Sequence, residues 1–158
     1  MKNMYITALR LSAAAAVAAV LGGCAGEVPE TTPVMLNVTI EAPNVLDPSG
    51  TVHLYTYNAY RGEGELRHPL GAIEEKLQYD FGDGTISHSF DYVPGSGDGF
   101  AVYAFLDTNE DGALCTPTER DEFSGFTVMD DEPVGTVDVV IELNSACAGS
   151  ERFFPPPM

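Results

Sequence analysis

The residues best suited to chemistry are Asp107-Thr108-Asn109-Glu110-Asp111-Gly112. Oxygen-bearing side chains at alternating positions, closed by a glycine that permits a sharp turn, form the front half of a calcium loop. A hard cation needs several oxygen ligands, and this spacing aims Asp107, Asn109 and Asp111 at one centre. A helix-flanked calcium loop also takes a bidentate Glu at its twelfth position. Counted from Asp107 that position is Thr118; Glu119 falls one later, and no helical pattern flanks the segment. The expectation is a structural calcium loop of another kind, with Asp107, Asn109, Asp111 and Glu119 as ligands and Asp121 or Glu122 as alternatives. The competing expectation is a solvated turn in which the Asp and Asn side chains bond their own backbone.

No other constellation points to a reaction. His53, His68 and His88 lack metal-ligand spacing, and no cysteine completes a zinc set; His88 between Ile86 and Phe90 reads as a core or edge residue. Ser96 in Pro94-Gly95-Ser96-Gly97 lacks the first glycine of a nucleophile elbow. Acidic pairs abound among 24 Asp and Glu residues, but none is singled out for glycoside hydrolysis. The expectation is a protein that is not an enzyme. With no Trp in the chain, a platform for stacking a sugar would rest on Tyr55, Tyr57, Tyr60 or Tyr103, whose ordinary role is strand packing.

These residues need a scaffold, and the patterning is that of strands. Val34, Leu36, Val38 and Ile40 alternate with Met35, Asn37, Thr39 and Glu41. Thr51 to Asn58 is rich in β-branched and tyrosine residues. Residues 59–72 read as a loop; in Ile73 to Phe81, Glu74-Glu75-Lys76-Leu77 would suit a helical turn, but Leu77, Tyr79 and Phe81 alternate as in a strand, the reading favoured, before the tight turn Gly82-Asp83-Gly84. Ile86, His88, Phe90 and Tyr92 share one face of the next strand. Phe100 to Leu106 is apolar on both faces, which marks the most central strand. Phe123 to Met129 and Thr136 to Leu143 follow, the last with Val137, Val139, Ile141 and Leu143 inward. About seven strands with turn signals at short intervals predict an all-β, antiparallel β-sandwich; an immunoglobulin-like or prealbumin-like form is what the motif resemblances below imply. The prolines of the tail bar residues 149–158 from a central strand.

Composition limits the partners. The chain has 158 residues and a net charge of −17. Lys2 and Arg10 lie in the first 23 residues, which hold no acid, so five basic residues face 24 acidic ones in the remainder. Such a domain has no basic patch with which to release phosphate counterions, which excludes a nucleic-acid binder held by backbone contacts. It is equally unlike a polybasic membrane-surface module.

At the N-terminus, Lys2 and Arg10 flank a positive region, and Leu11 to Val20 is an apolar stretch too short to span a bilayer. It ends in Leu21-Gly22-Gly23-Cys24, which resembles the lipobox of bacterial lipoproteins. The resemblance implies a helical signal peptide over residues 1–23, cleavage before Cys24, and a diacylglycerol with further acylation on Cys24. Two or three acyl chains exceed the marginal hold of a single myristoyl. In two-membrane cells an Asp after the cysteine commonly retains the protein at the inner membrane. Ala25 stands there, so the resemblance implies an exported protein anchored at the outer membrane. Residues 24–33 read as the lipidated cysteine and tether, 34–148 as the domain, and 149–158 as a tail. With Cys24 lipidated, Cys115 and Cys147 remain to pair outside the reducing cytosol. Such a bridge would add roughly 3 kcal/mol in the chain-entropy model.

The run from Gly99 through Phe105-Leu106-Asp107 to Gly112, with Pro117-Thr118-Glu119 and Ser124-Gly125-Phe126, resembles prealbumin-like, Cna-B-like and carboxypeptidase-regulatory-like exported sandwiches. In those, a strand leads into an acidic loop; Asp111 stands where Asn is usual, and Cys115 within the loop is a departure. Tyr79-Asp80-Phe81-Gly82-Asp83-Gly84-Thr85 is also similar to the signature of polycystic-kidney-disease domains, with Tyr79 in place of Trp. Both resemblances imply an exported sandwich and neither implies an activity. The functional expectation is a non-catalytic envelope module, lipid-anchored to the membrane, that binds an envelope partner or serves a structural role, with a structural calcium. The alternative is a glycan or small-ligand binder using the tyrosine-bearing strands.

Overall fold

The computed structural model describes residues 29–61 and 67–153, so the predicted signal helix, Cys24 and the last five residues lie outside the described residues. Strands β1 (Thr32–Glu41), β2 (Thr51–Arg61), β3 (Arg67–Asp80), β4 (Thr85–Tyr92), β5 (Gly99–Asp107), β6 (Phe123–Met129), β7 (Gly135–Glu142) and β8 (Ser145–Ala146) are followed by one helical turn, α1 (Ser150–Phe153). They form a three-stranded sheet, β4-β1-β7, and a five-stranded sheet, β3-β2-β5-β6-β8. The two make a β-sandwich, as the strand patterning predicts.

Period-two alternation decides what enters the core. On β1, Val34, Leu36 and Val38 are buried, while Met35 is exposed. They meet Val52 and Leu54 of β2, Phe100, Val102, Ala104 and Leu106 of β5, and Val139 and Ile141 of β7. The central strand β5 is buried along its whole length. Its inner face joins this core, while its outer face carries Ala101, Tyr103 and Phe105 into a second apolar cluster with Tyr57 and Ala59. Leu114 and Phe153 cover that outer cluster, so a strand apolar on both faces is buried on both. At Gly125 of β6 a Cβ would collide with the Glu142 carbonyl of β7, so only glycine allows the two sheets to approach there.

Three features differ from the sequence expectation. Residues 67–72 are strand rather than loop: β3 begins at Arg67 and pairs Arg67 with Arg61, His68 with Tyr60 and Pro69 with Ala59. Pro69 is tolerated because β3 is an edge strand, whose free side needs no N–H. Register shifts around Tyr57 absorb the irregular pairing that obscured the pattern. One pairing is not antiparallel, since β7 runs parallel to β1. The chain crosses from one sheet to the other between Met129 and Gly135, and such a crossing is not bound to the hairpin direction. Finally, a short eighth strand, β8, adds to the seven predicted by pairing with β6, and α1 follows it, with Phe153 packed on Phe126 at a centroid distance of 4.2 Å.

The registers also fix which loops share an end. Thr32, where β1 begins, lies opposite Tyr92, and Val34 opposite Gly135. At the other end Thr39 faces Thr85, and Thr51 pairs with both Asp80 and Asp107. The 42–50 loop, the 81–84 turn and the 107–122 loop therefore gather at the end away from the start of β1.

Candidate functional site

The acidic loop grows from the last residue of β5. Asp107 is 1% exposed, and its carboxylate organises the turn that follows. Its Oδ1 accepts the Asp111 N–H at 3.2 Å and its Oδ2 the Gly112 N–H at 2.8 Å. Oδ2 also lies 3.3 Å from Nε2 of buried His53. The Gln78 amide donates to His53 Nδ1 at 3.2 Å, which assigns the ring proton to Nε2 and makes it the donor to Asp107. The His53 ring stacks on Phe105 at 4.6 Å. Burial works to raise the Asp107 pKa, but the backbone N–H groups and His53 together hold it below the ordinary carboxylate value.

Glu122, also 1% exposed, is the second organiser. It reaches back from the start of β6 to accept the Thr108 N–H at 3.1 Å and the Cys115 N–H at 2.5 Å. Burial pushes its pKa up; the two N–H groups oppose this, and the charges of Asp107 and Asp111 add to it. The Glu122 carbonyl in turn accepts the Cys147 N–H at 2.9 Å. Cys115 and Cys147 are joined by a disulfide with Cα atoms 5.5 Å apart, as the cysteine count predicts. Both cysteines have positive φ, 52° and 49°, a conformation held by the bridge and the Glu122 contacts around it. One carboxylate and one disulfide thus tie the loop to the C-terminal segment.

The four predicted calcium ligands fall into two places. Asp107 is turned inward to His53. Asn109, Asp111 and Glu119 meet at the solvent side, where Glu119 is brought back by the Thr116–Glu119 turn. Asn109 Oδ1 accepts the Asp111 N–H at 2.9 Å, and its amide nitrogen donates to the carboxylates of Asp111 and Glu119. Asp111 Oδ1 accepts the Ala113 N–H at 2.9 Å. An amide N–H therefore faces the two carboxylates where a cation would need a further oxygen. Among the described residues no group of three or more His, Cys, Asp and Glu side chains is placed to hold a metal ion. As arranged, the loop closes through its own hydrogen bonds, with Asn109, Asp111 and Glu119 together at the solvent side and Asp107 apart from them.

The tyrosines do not form an open platform. Tyr57 and Tyr103 are 8% and 4% exposed, covered by the segment that follows β8, and Tyr55 and Tyr60 are half-buried. The Tyr103 hydroxyl donates to the Ala148 carbonyl at 2.9 Å, and Ser124 Oγ donates to the same oxygen. The Tyr57 hydroxyl donates to Ser150 Oγ at 3.4 Å. His88 sits beside Phe90 in β4, its ring 6.2 Å from the phenyl ring, in keeping with an edge position. Sequence reasoning missed the His53–Asp107 pair and the clasp role of Glu122. Nothing in the spacing of His53 signals the first, and Glu122 sits in an acidic run that looks solvated.

No protein-family profile matches the chain, and no curated protein matches it. The class that the fold defines is a two-sheet β-sandwich with an acidic loop clasped to its C-terminal segment. The more specific resemblances rest on their motifs alone.

Proposed function

We propose that this chain is a lipid-anchored, exported β-sandwich of a bacterial envelope, and that it acts without catalysis by presenting loops to an envelope partner. The observation that carries this reading is Leu21-Gly22-Gly23-Cys24 placed eight residues before the start of β1 at Thr32. Removal of residues 1–23 and acylation of Cys24 would fix one end of the sandwich to the leaflet through a short tether. Strand β1 has ten residues, about 33 Å at the usual rise, and the 107–122 loop lies at its far end. A net charge of −17 favours a domain that stands off anionic headgroups. Ala25, rather than Asp, supports the outer membrane as the site of anchoring where a cell has two membranes.

Two features support a display role over a catalytic one. The buried carboxylates Asp107 and Glu122 are each saturated by backbone N–H groups, which suits holding a shape rather than moving a proton. The loop is also closed by backbone and side-chain hydrogen bonds, which hold it in shape for display. Incorporation of labelled palmitate by cells expressing the full chain tests the anchor. The label should enter the wild-type protein and be absent from Cys24→Ser, which should leave the membrane fraction. Equal labelling of the two proteins would overturn the reading.

A further inference from the structure

Among the described residues, the C-terminal segment up to Phe153 leaves part of the outer face of the five-stranded sheet uncovered. Between it and strands β2 and β5 lies an open cleft of about 330 Å³, walled on one side by Leu114 and the Cys115–Cys147 bridge. Three rings converge there. Tyr55 and Tyr103 have centroids 6.0 Å apart, and each lies 6.3 Å from Phe105. Tyr57 adds a fourth ring, and among the described residues Glu151 of α1 is the one charged side chain lining the cleft.

We infer that this cleft binds a small alkylammonium cation, with the faces of Tyr55, Tyr103 and Phe105 around it and Glu151 as its counter-charge. Aromatic faces carry negative potential, and several of them around one cation are how proteins recognise methylated ammonium groups. The same surface already attracts a cation of its own chain: Lys76 Nζ lies 5.5 Å from the Tyr55 centroid. Glu151 is solvent-exposed, and its carboxylate lies directly over Gly149, where a Cβ would meet both oxygens and push the side chain aside. Its charge is felt by both Tyr57 and Tyr103, whose pKa values burial pushes up. Both phenols are therefore neutral at neutral pH, and Glu151 supplies the charge of the cleft. Among the described residues that line it none is basic, which disfavours an anionic ligand. A flat sugar ring is disfavoured too, since Tyr57, Tyr103 and Phe105 are 8%, 4% and 5% exposed and offer no broad face. A compact cation needs less of each ring.

The test uses the full chain in a neutral detergent and choline as the probe. Its uncharged isostere 3,3-dimethylbutan-1-ol is the control, and saturation-transfer NMR and calorimetry are the readouts. Choline methyls should show transfer, and the isostere should bind roughly tenfold more weakly, the difference expected of a partly desolvated cation on aromatic faces. Glu151→Gln should weaken choline several-fold. Gly149→Ala should do the same while keeping every charge, because it displaces the carboxylate; Gly149 does not adopt a positive φ. Glycerophosphocholine presents the same cation as a lipid headgroup, and the acidic surface should make it a weaker ligand than choline. Isostere binding as tight as choline, unchanged affinity in Glu151→Gln, or no transfer at choline concentrations of order 10 mM would overturn the inference. Glycerophosphocholine binding as tightly as choline would overturn the assignment to a free alkylammonium ion rather than a lipid headgroup.

Discussion

Removing the Glu122 carboxylate should loosen the acidic loop and cost more stability than any other single acidic substitution in it. In Glu122→Ala the N–H groups of Thr108 and Cys115 lose their acceptor, and both stand in a part-buried setting. An unsatisfied buried donor costs about 1–3 kcal/mol, and the emptied side-chain volume adds to that. Part is returned, because a carboxylate held uncharged-favouring by burial and by Asp107 and Asp111 no longer has to be desolvated. The expected net loss is about 3 kcal/mol, or roughly 12 °C in Tm for a domain of this size. Glu122→Gln keeps one acceptor but sets an amide N–H against the second backbone N–H, for a loss of about 1 kcal/mol. Thermal and urea denaturation of the full chain, followed by far-ultraviolet circular dichroism, would measure both. The two losses should shrink when the disulfide is also removed, since the bridge and the carboxylate restrain the same segment. A Glu122→Ala loss below about 0.5 kcal/mol would refute the clasp, because two orphaned donors cannot be that cheap unless water already reaches them.

Other outcomes follow from the same contacts. Replacing Cys115 and Cys147 by serine frees a connection with a sequence separation of 32 and should cost roughly 3–4 kcal/mol in urea denaturation. The two buried carboxylates pull the pH profile in opposite directions. Glu122 has a raised pKa in the fold, so its contribution to stability increases as pH falls through that pKa toward the unfolded value of about 4.3. Asp107 has a lowered pKa, so its contribution is present above the unfolded value of about 3.9 and is lost as pH falls through the folded one. Stability against pH should therefore bend downward below about pH 4, and that bend should weaken in Asp107→Asn. Millimolar calcium against EDTA should move the Tm by no more than about 1 °C. A calcium-dependent rise near 10 °C, the equivalent of about 2.7 kcal/mol at a hundredfold excess over Kd, would reinstate a metal site if Asp111→Ala abolished it.

Strand patterning made most of the fold legible. Val34, Leu36 and Val38 alternate cleanly because one face of β1 meets the core and the other meets water. The all-apolar run of β5 revealed a strand covered on both sides. The region 67–72 was misleading because Pro69 and the neighbouring glycines carry turn signals, and only an edge position lets such residues pair. The acidic loop was legible as a turn of alternating oxygen side chains. Its inner wiring was not, because a spacing rule cannot tell whether a carboxylate faces a cation or a backbone N–H. The distinction rests on His53 and Glu122, which lie 54 positions before Asp107 and 15 positions after it.

Local matters can be read from the chain alone: which residues alternate, where glycine allows a turn, that two cysteines are left to pair once Cys24 is set aside, and that the surface is acidic. These depend on neighbours a few residues apart or on simple counts. The tertiary structure alone decided that Asp107 turns inward, that Glu122 clasps the loop, and that the C-terminal segment covers one sheet and leaves an aromatic cleft beside it. Those outcomes depend on contacts between distant strands, where the direction of a side chain is set by the register of its strand and by whatever packs on the opposite face.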